Sequence, residues 1–173
     1  MSARPEDYAA TEALRDGSRV ELRALRPSDR RDLENAVDRT SPLSLYRRFF
    51  GVKTVFTEAE THYLVDVDFK RHVALVAVVE EGGRPTIVGG GRYVVVSDGK
   101  AEVAFTIIDS YQGRGIGSHL MRHLALIAKS QGLRQLVAEV LRENVPMLKT
   151  FEKSGLPIET RSEPEVVHVT LDL

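Results

Sequence analysis

The sequence predicts one α/β domain, with strands and helices sharing a single core. Its 173 residues fit one domain that buries about two-thirds of the surface its unfolded chain exposes. The stretch from Ala101 to Gln131 passes from a β-rich run through a glycine-rich turn into an amphipathic helix, and a second β-rich run follows from Arg134 to Leu141. A strand, crossover helix and strand in this order form a right-handed unit, so the two strands are parallel. No internal repeat, low-complexity tract or second core interrupts the chain.

The elements follow in order. Met1 to Gly17 is polar and lacks periodicity, so residues 1–17 are expected as a flexible arm and 18–173 as the domain. Arg19 to Leu25 alternates, with Val20, Leu22 and Ala24 on one side, and reads as the first strand. Pro27-Ser28-Asp29 opens a helix carrying Leu33, Ala36 and Val37, Ser41-Pro42 opens a second that ends at Gly51, and Thr57 with Glu60 has the capping-box spacing of a third. His72 to Glu80 is apolar and free of breakers, as a strand buried on both faces is. Thr86 to Val96 is the next strand, and Gly89-Gly90-Gly91 within it marks a bulge or a close backbone approach. A hairpin turn at Ser97-Asp98-Gly99-Lys100 leads into the strand Ala101 to Ile108. The helix from Gly115 to Gln131 places Ile116, Leu120, Leu124, Ile127 and Ala128 on one face, and Gly132 is its C-terminal stop. After the Arg134 to Leu141 strand, Asn144 caps a helix that Gly155 ends, and Ile158 to Ser162 pairs antiparallel with Val166 to Leu173.

The glycine-rich turn carries the clearest chemical signal. Gln112-Gly113-Arg114-Gly115-Ile116-Gly117 puts three glycines at alternate positions at the mouth of a helix, where first-turn N–H groups have no partner inside the helix and favour an anion. Missing Cβ atoms let a diphosphate lie against bare amides. The dinucleotide fingerprint needs a glycine at 118, where Ser118 stands, and the GxxxxGK[ST] phosphate loop is absent. A turn that merely lets strand and helix pack closely is the structural alternative.

Composition narrows the classes. A net charge of -1 argues against nucleic acid or an anionic membrane surface as the main partner. The absence of cysteine excludes disulfides, thiolate zinc sites and cysteine nucleophiles. The N-terminus lacks an apolar leader and no run is long enough to span a bilayer, so a cytoplasmic protein is expected. His119 and His123 lie four apart on the helix without an HExxH carboxylate or third ligand, so no metal is expected and both read as surface histidines. Tyr46-Arg47-Arg48-Phe49-Phe50 reads as a helix with a buried aromatic side and exposed arginines.

The spacing Gln112-x-x-Gly115-x-Gly117 between strand and helix resembles the coenzyme A loop of the GNAT superfamily of N-acetyltransferases. SLYRRFFG at 44 to 51, AEVAF at 101 to 105, YQGRGIG at 111 to 117 and VAEVLRENVPMLKTFEKSG at 137 to 155 are similar to the catalytic domain of the Pat-type bacterial protein lysine acetyltransferases. The resemblance runs from about Arg19 to the C-terminus. It implies a mixed seven-stranded sheet, helices on both faces, and acetyl-CoA held where two central parallel strands, those ending at Ile108 and Leu141, splay apart. It also implies that the Ile107 and Ile108 backbone binds pantetheine and the thioester carbonyl. The amides of Gln112, Gly113, Arg114, Gly115, Ile116 and Gly117 would take the diphosphate, and Asn144 the far side. The implied acceptor is a lysine on a protein such as an acyl-CoA synthetase, and Arg47 or Arg48 would meet its acidic surface.

The transfer needs a base. A lysine amine of pKa near 10.4 is almost wholly protonated at pH 7, and freeing it costs more than about 4 kcal/mol. Glu102 is the candidate: it is a charge in an otherwise apolar strand, and its period-2 companions Ala104 and Thr106 leave room on its face. A solvated glutamate at a strand's start is the alternative reading, Glu139 is the second candidate base, and Asp109 orients the loop. Many superfamily members carry a tyrosine seven residues after the capping asparagine to protonate the leaving thiolate. Phe151 stands there, which leaves that step to solvent. Three functions fit these residues: protein lysine acetylation, acetylation of a small amine by the same machinery, and a non-catalytic acyl-CoA sensor.

Overall fold

The computed structural model describes residues 4–49 and 58–173. It contains one mixed sheet of eight strands in the order β1-β2-β3-β4-β5-β6-β8-β7. The strands are β1 (Ala9–Ala13), β2 (Arg19–Ala24), β3 (His72–Glu81), β4 (Arg84–Ser97), β5 (Lys100–Ile107), β6 (Gln135–Leu141), β7 (Ile158–Ser162) and β8 (Val166–Asp172). The helices are α1 (Arg30–Asp38), α2 (Pro42–Phe49), α3 (Glu58–Val65), α4 (Ile116–Ser130) and α5 (Val145–Glu152). Gly51 and Thr57, expected to end one helix and cap the next, lie outside the described residues.

β3 is buried over its first eight residues, as its unbroken apolar run requires. The glycine run of β4 forms a bulge: Ala77 pairs with Gly89 but Val78 with Ile87, leaving Val88 unpaired in the ladder. Gly91 is a close approach, because a Cβ there would come within 2.6 Å of Phe105 and 2.9 Å of Leu124. That contact seats α4 directly on β4 and β5. Leu120 and Leu124 are fully buried there, and α1, α2 and α3 cover the opposite face.

The expected arm folds in part and supplies the eighth strand. Pro5–Asp7 makes a 3-10 turn and Ala9–Ala13 pairs antiparallel with β2, from Ala9↔Arg23 to Ala13↔Arg19. Leu14 is buried, and a tight turn at Leu14–Ser18, with Gly17 at φ 85°, joins the two strands. A pattern of small and polar residues hides a strand whose stability comes from backbone pairing and from its two ends.

Candidate functional site

The central feature is the parting of β5 and β6. These parallel strands are in register at three pairs, Lys100↔Gln135, Ala101↔Leu136 and Glu102↔Val137, and then separate. A cleft of about 350 Å³ opens beyond that point, between Val103–Ile107 of β5 and Ala138–Val140 of β6. Val103 and Phe105 turn toward α4, and Phe105 lies 5.9 Å from Phe151 of α5, ring centre to ring centre. Phe151 is 1% exposed and brings no hydroxyl to the cleft.

The glycine loop closes one end. Gly115, the N-cap of α4, has φ 97°, and Gly113 has φ 77°; both are left-handed conformations that favour glycine. A Cβ at Gly113 would meet nothing within 4 Å, and one at Gly117 only Thr150 at 3.9 Å. The space above the loop is therefore open. The first i→i−4 bond of the helix runs from the His119 amide to the Gly115 carbonyl at 3.1 Å, so the amides of Ile116, Gly117 and Ser118 are first-turn donors without an intrahelical acceptor.

The residues expected to hold the ligand make further contacts within the protein. The Gln112 amide donates to the Asp109 carbonyl, and its side-chain Nε2 donates to Ser44 Oγ and to the Ile107 carbonyl, both at 3.0 Å. Gln112 thus ties α2 and the end of β5 to the loop, and its N–H is occupied. Ile107 lines the cleft, but Ile108 is 1% exposed, donates its amide to the Val88 carbonyl at 2.9 Å, and belongs to the cavity on the other face. The Arg114 side chain, as distinct from its amide, turns away: its guanidinium lies over Tyr111 and bonds Asp16 Oδ2 and the Ser110 carbonyl. Asn144 is buried, lines the cleft, and caps α5 through Oδ1 accepting from the Met147 amide at 3.4 Å. Burial pushes the Asp109 carboxyl up, but the Ser41 amide and the Ser41 and Ser44 hydroxyls hold it below the usual carboxylate range, fixing α2 to the loop.

Glu102 is exposed on β5 at the last in-register pair, where the strands begin to part. It shares a face with Ala104 and Thr106, which line the cleft two and four residues further on. Arg48 is the charge that faces it: burial lowers the Arg48 pKa, and Glu102 opposes that shift. Arg48 is not the surface cation expected. It is half-buried and lines both the cleft and a second cavity, because it lies three residues after the buried Leu45, on the helix face turned to the sheet. The Arg47 side chain lies outside the described set. Glu139 lines the cleft from β6 with its carboxylate 3.5 Å from His168 Nδ1.

The second cavity, of about 340 Å³, lies under α1, α2 and α3 and meets the cleft at Arg48, Ala104 and Thr106. Arg92 of β4 lines it and donates from Nη1 to the Leu64 carbonyl and to His72 Nε2, each at 3.0 Å. A guanidinium only donates, so His72 Nε2 accepts and the ring is neutral. Burial, and then the Arg92 charge, lower the His72 pKa to about 4.

Sequence reasoning missed Arg15, which lines the cleft from the β1–β2 turn. The signal was Asp16-Gly17, a hairpin dipeptide beside a run short of apolar residues. His123 is also not a surface residue: it is 7% exposed and bonded between Tyr8 and Glu12. Among the described residues no group of three or more His, Cys, Asp or Glu side chains is placed to hold a metal ion.

Comparison with known proteins adds a family context. A profile described as the acetyltransferase (GNAT) family matches residues 40–156. The chain is 39% identical over 126 residues to "Acetyltransferase PA5475" of Pseudomonas aeruginosa, covering 72% of this chain and 68% of that protein. It is 37% identical over 163 residues to "Acetyltransferase Pat" of Mycolicibacterium smegmatis, covering 92% of this chain and 47% of that protein, so it spans about half of that relative's length. The crystal structure of the GNAT domain of S. lividans PAT superposes with a TM-score of 0.86 at 32% identity, covering 95% of this chain and 97% of that one.

Proposed function

Because the chain belongs to the acetyltransferase (GNAT) family, we propose that it uses acetyl-CoA to acetylate the side-chain amine of a lysine on a protein. The observation that carries the cofactor reading is the short β5–β6 register, three pairs and then a cleft that ends on the glycine loop. The residues suit coenzyme A. The first-turn amides of α4 offer donors, and the bare Gly113 and Gly117 leave room, for a diphosphate, while Phe105, Ile107 and Asn144 line the cleft. Bound there, acetyl-CoA supplies an activated acyl thioester.

Glu102 then acts as base. Its carboxylate lies two residues, roughly 6.6 Å of strand, before Ala104, and it takes a proton from the acceptor ammonium directly or through one water. Arg48 faces Glu102 across the mouth of the cleft, and Glu102 opposes the lowering of the Arg48 pKa by burial. Phe151 donates no proton, and water serves the leaving thiolate. The likeness to the Pat proteins supports a protein lysine as the acceptor.

The cavity of about 340 Å³ on the acceptor side favours a second reading, in which a small amine enters it. The test is incubation with acetyl-CoA and a proteome extract beside a panel of free amines, with acetyl-lysine read by mass spectrometry. Site-selective protein acetylation that outpaces the free amines supports the proposal; turnover of a small amine alone replaces it with the second reading. No transfer to any amine, with acetyl-CoA still bound, leaves a non-catalytic sensor.

A further inference from the structure

The N-terminal hairpin precedes the residues that the family profile covers, yet it runs along α4 and ends over the glycine loop. Two sets of contacts fix it there. Along its length, Glu12 Oε1 accepts from Arg122 Nη2 at 2.7 Å and from His123 Nε2 at 2.8 Å, while the Tyr8 hydroxyl donates to His123 Nδ1. With a proton on Nε2, His123 donates to Glu12 while its Nδ1 bonds the Tyr8 hydroxyl. Tyr8 and Glu12 are therefore fastened to the second turn of the helix whose first turn faces the cleft.

At the tip, Arg15 and Asp16 straddle the loop. Asp16 Oδ2 accepts from Arg114 Nη1 at 3.4 Å, and Arg15 Nη1 donates to the Gly113 carbonyl at 3.4 Å. A Cβ at Gly115 would have Arg15 Nε as its neighbour, at 3.9 Å. The Arg15 guanidinium thus lies over the left-handed glycine that opens α4, and it lines the same cleft. Its bond to Gly113 is long and joins a cation to a neutral carbonyl. A planar guanidinium forms shorter, forked bonds to phosphate oxygens.

We propose that Arg15, carried by the β1–β2 hairpin, is a ligand of the coenzyme's diphosphate, so that the hairpin forms one wall of the coenzyme site. This rests on the acetyl-CoA reading above. Backbone amides of α4 hold the diphosphate from one side, and Arg15 supplies a full positive charge from the other. Arg114, the other cation of the loop, is turned toward Tyr111 and Asp16.

The test is calorimetry with the full chain, titrating coenzyme A and S-acetylpantetheine, which lacks the diphosphate, into wild type and Arg15→Gln. Arg15 is exposed at a hairpin tip, so the variant is expected to melt with wild type. The expected result is a Kd for coenzyme A raised about 5- to 30-fold, the range of one partly exposed charge-assisted bond. Binding of S-acetylpantetheine should be unchanged, and Arg15→Lys should recover part of the loss. Equal coenzyme A affinity in Arg15→Gln and wild type, or an equal loss for both ligands, overturns the assignment and leaves the acetyl-CoA reading standing. A wild-type protein that binds no coenzyme A overturns both.

Discussion

On the α4 side of the sheet the site is built from backbone: a strand pair that runs out of register, a left-handed glycine at a helix mouth, and amides without intrahelical partners. On the side of α1, α2 and α3 it is built from side chains, with Arg48, Arg92, His72 and Glu102 brought together from four elements. The first construction depends on local sequence, the second on packing between distant segments. The loop at the mouth of α4 is consequently fixed by a few contiguous residues, and the face under α1, α2 and α3 by contacts that no short motif contains.

The largest effect that separates the two sides belongs to Glu102→Gln. The variant keeps the side chain's shape but cannot accept a proton at neutral pH, so kcat/KM for the amine should fall on the order of 10² to 10⁴ while the acetyl-CoA Kd stays within about twofold. The deficit should shrink as pH rises toward the acceptor's pKa, because free amine then forms unaided. A deficit constant from pH 7 to 10 would assign Glu102 to positioning, and full activity would move the role to Glu139 or to water.

A stability effect comes next, again on the acceptor side. His72 is neutral in the fold and its pKa is lowered to about 4, whereas in the unfolded chain it protonates near 6.5. The unfolded state therefore binds the extra proton first. The stability His72 contributes is complete above about pH 6.5 and is lost as pH falls toward 4, with a magnitude on the order of 1–3 kcal/mol. Melting of wild type and His72→Gln across this range should show the wild-type advantage narrowing with acid. Parallel curves would mean that His72 does not titrate in this window.

The smallest effect is expected for Phe151→Tyr, within the cleft itself. A thiol of pKa near 8.5 leaves as a moderately stable anion, so a new hydroxyl at this buried position should raise the rate by less than about threefold, with acetyl-CoA affinity unchanged. A gain above tenfold in steady-state turnover would show that proton supply to the leaving group limits the reaction.

The same contrast explains which features were legible in the sequence. Gly115 and Gly132 announced both ends of α4 because each adopts a positive φ, and the β4 bulge was marked by three adjacent glycines. The β-rich runs gave β3, β4, β5 and β6 within a residue or two at most ends. β1 was hidden because Ala9–Ala13 has no apolar alternation and is held by backbone bonds, Leu14 and Tyr8. His123 read as a surface residue because its partners, Tyr8 and Glu12, are more than 100 positions away. Arg48 looked exposed because charge alone does not reveal that α2 turns its Leu45 face to β5. Ile108 followed Ile107 in sequence, but the pleat sends it to the other side of the sheet.

The central claim is that a coenzyme diphosphate lies against the first turn of α4, and Gly117→Leu tests it most directly. Gly115 is less suitable, since at φ 97° any side chain also strains the backbone. Gly117 is helical and its Cβ would meet only Thr150 at 3.9 Å, while leucine is a good helix former, so the fold should melt no lower than wild type. Calorimetric titration with acetyl-CoA is predicted to show affinity reduced at least about tenfold. An unchanged Kd in a protein that melts like wild type would contradict the account, because the space above the loop would then hold no part of the ligand.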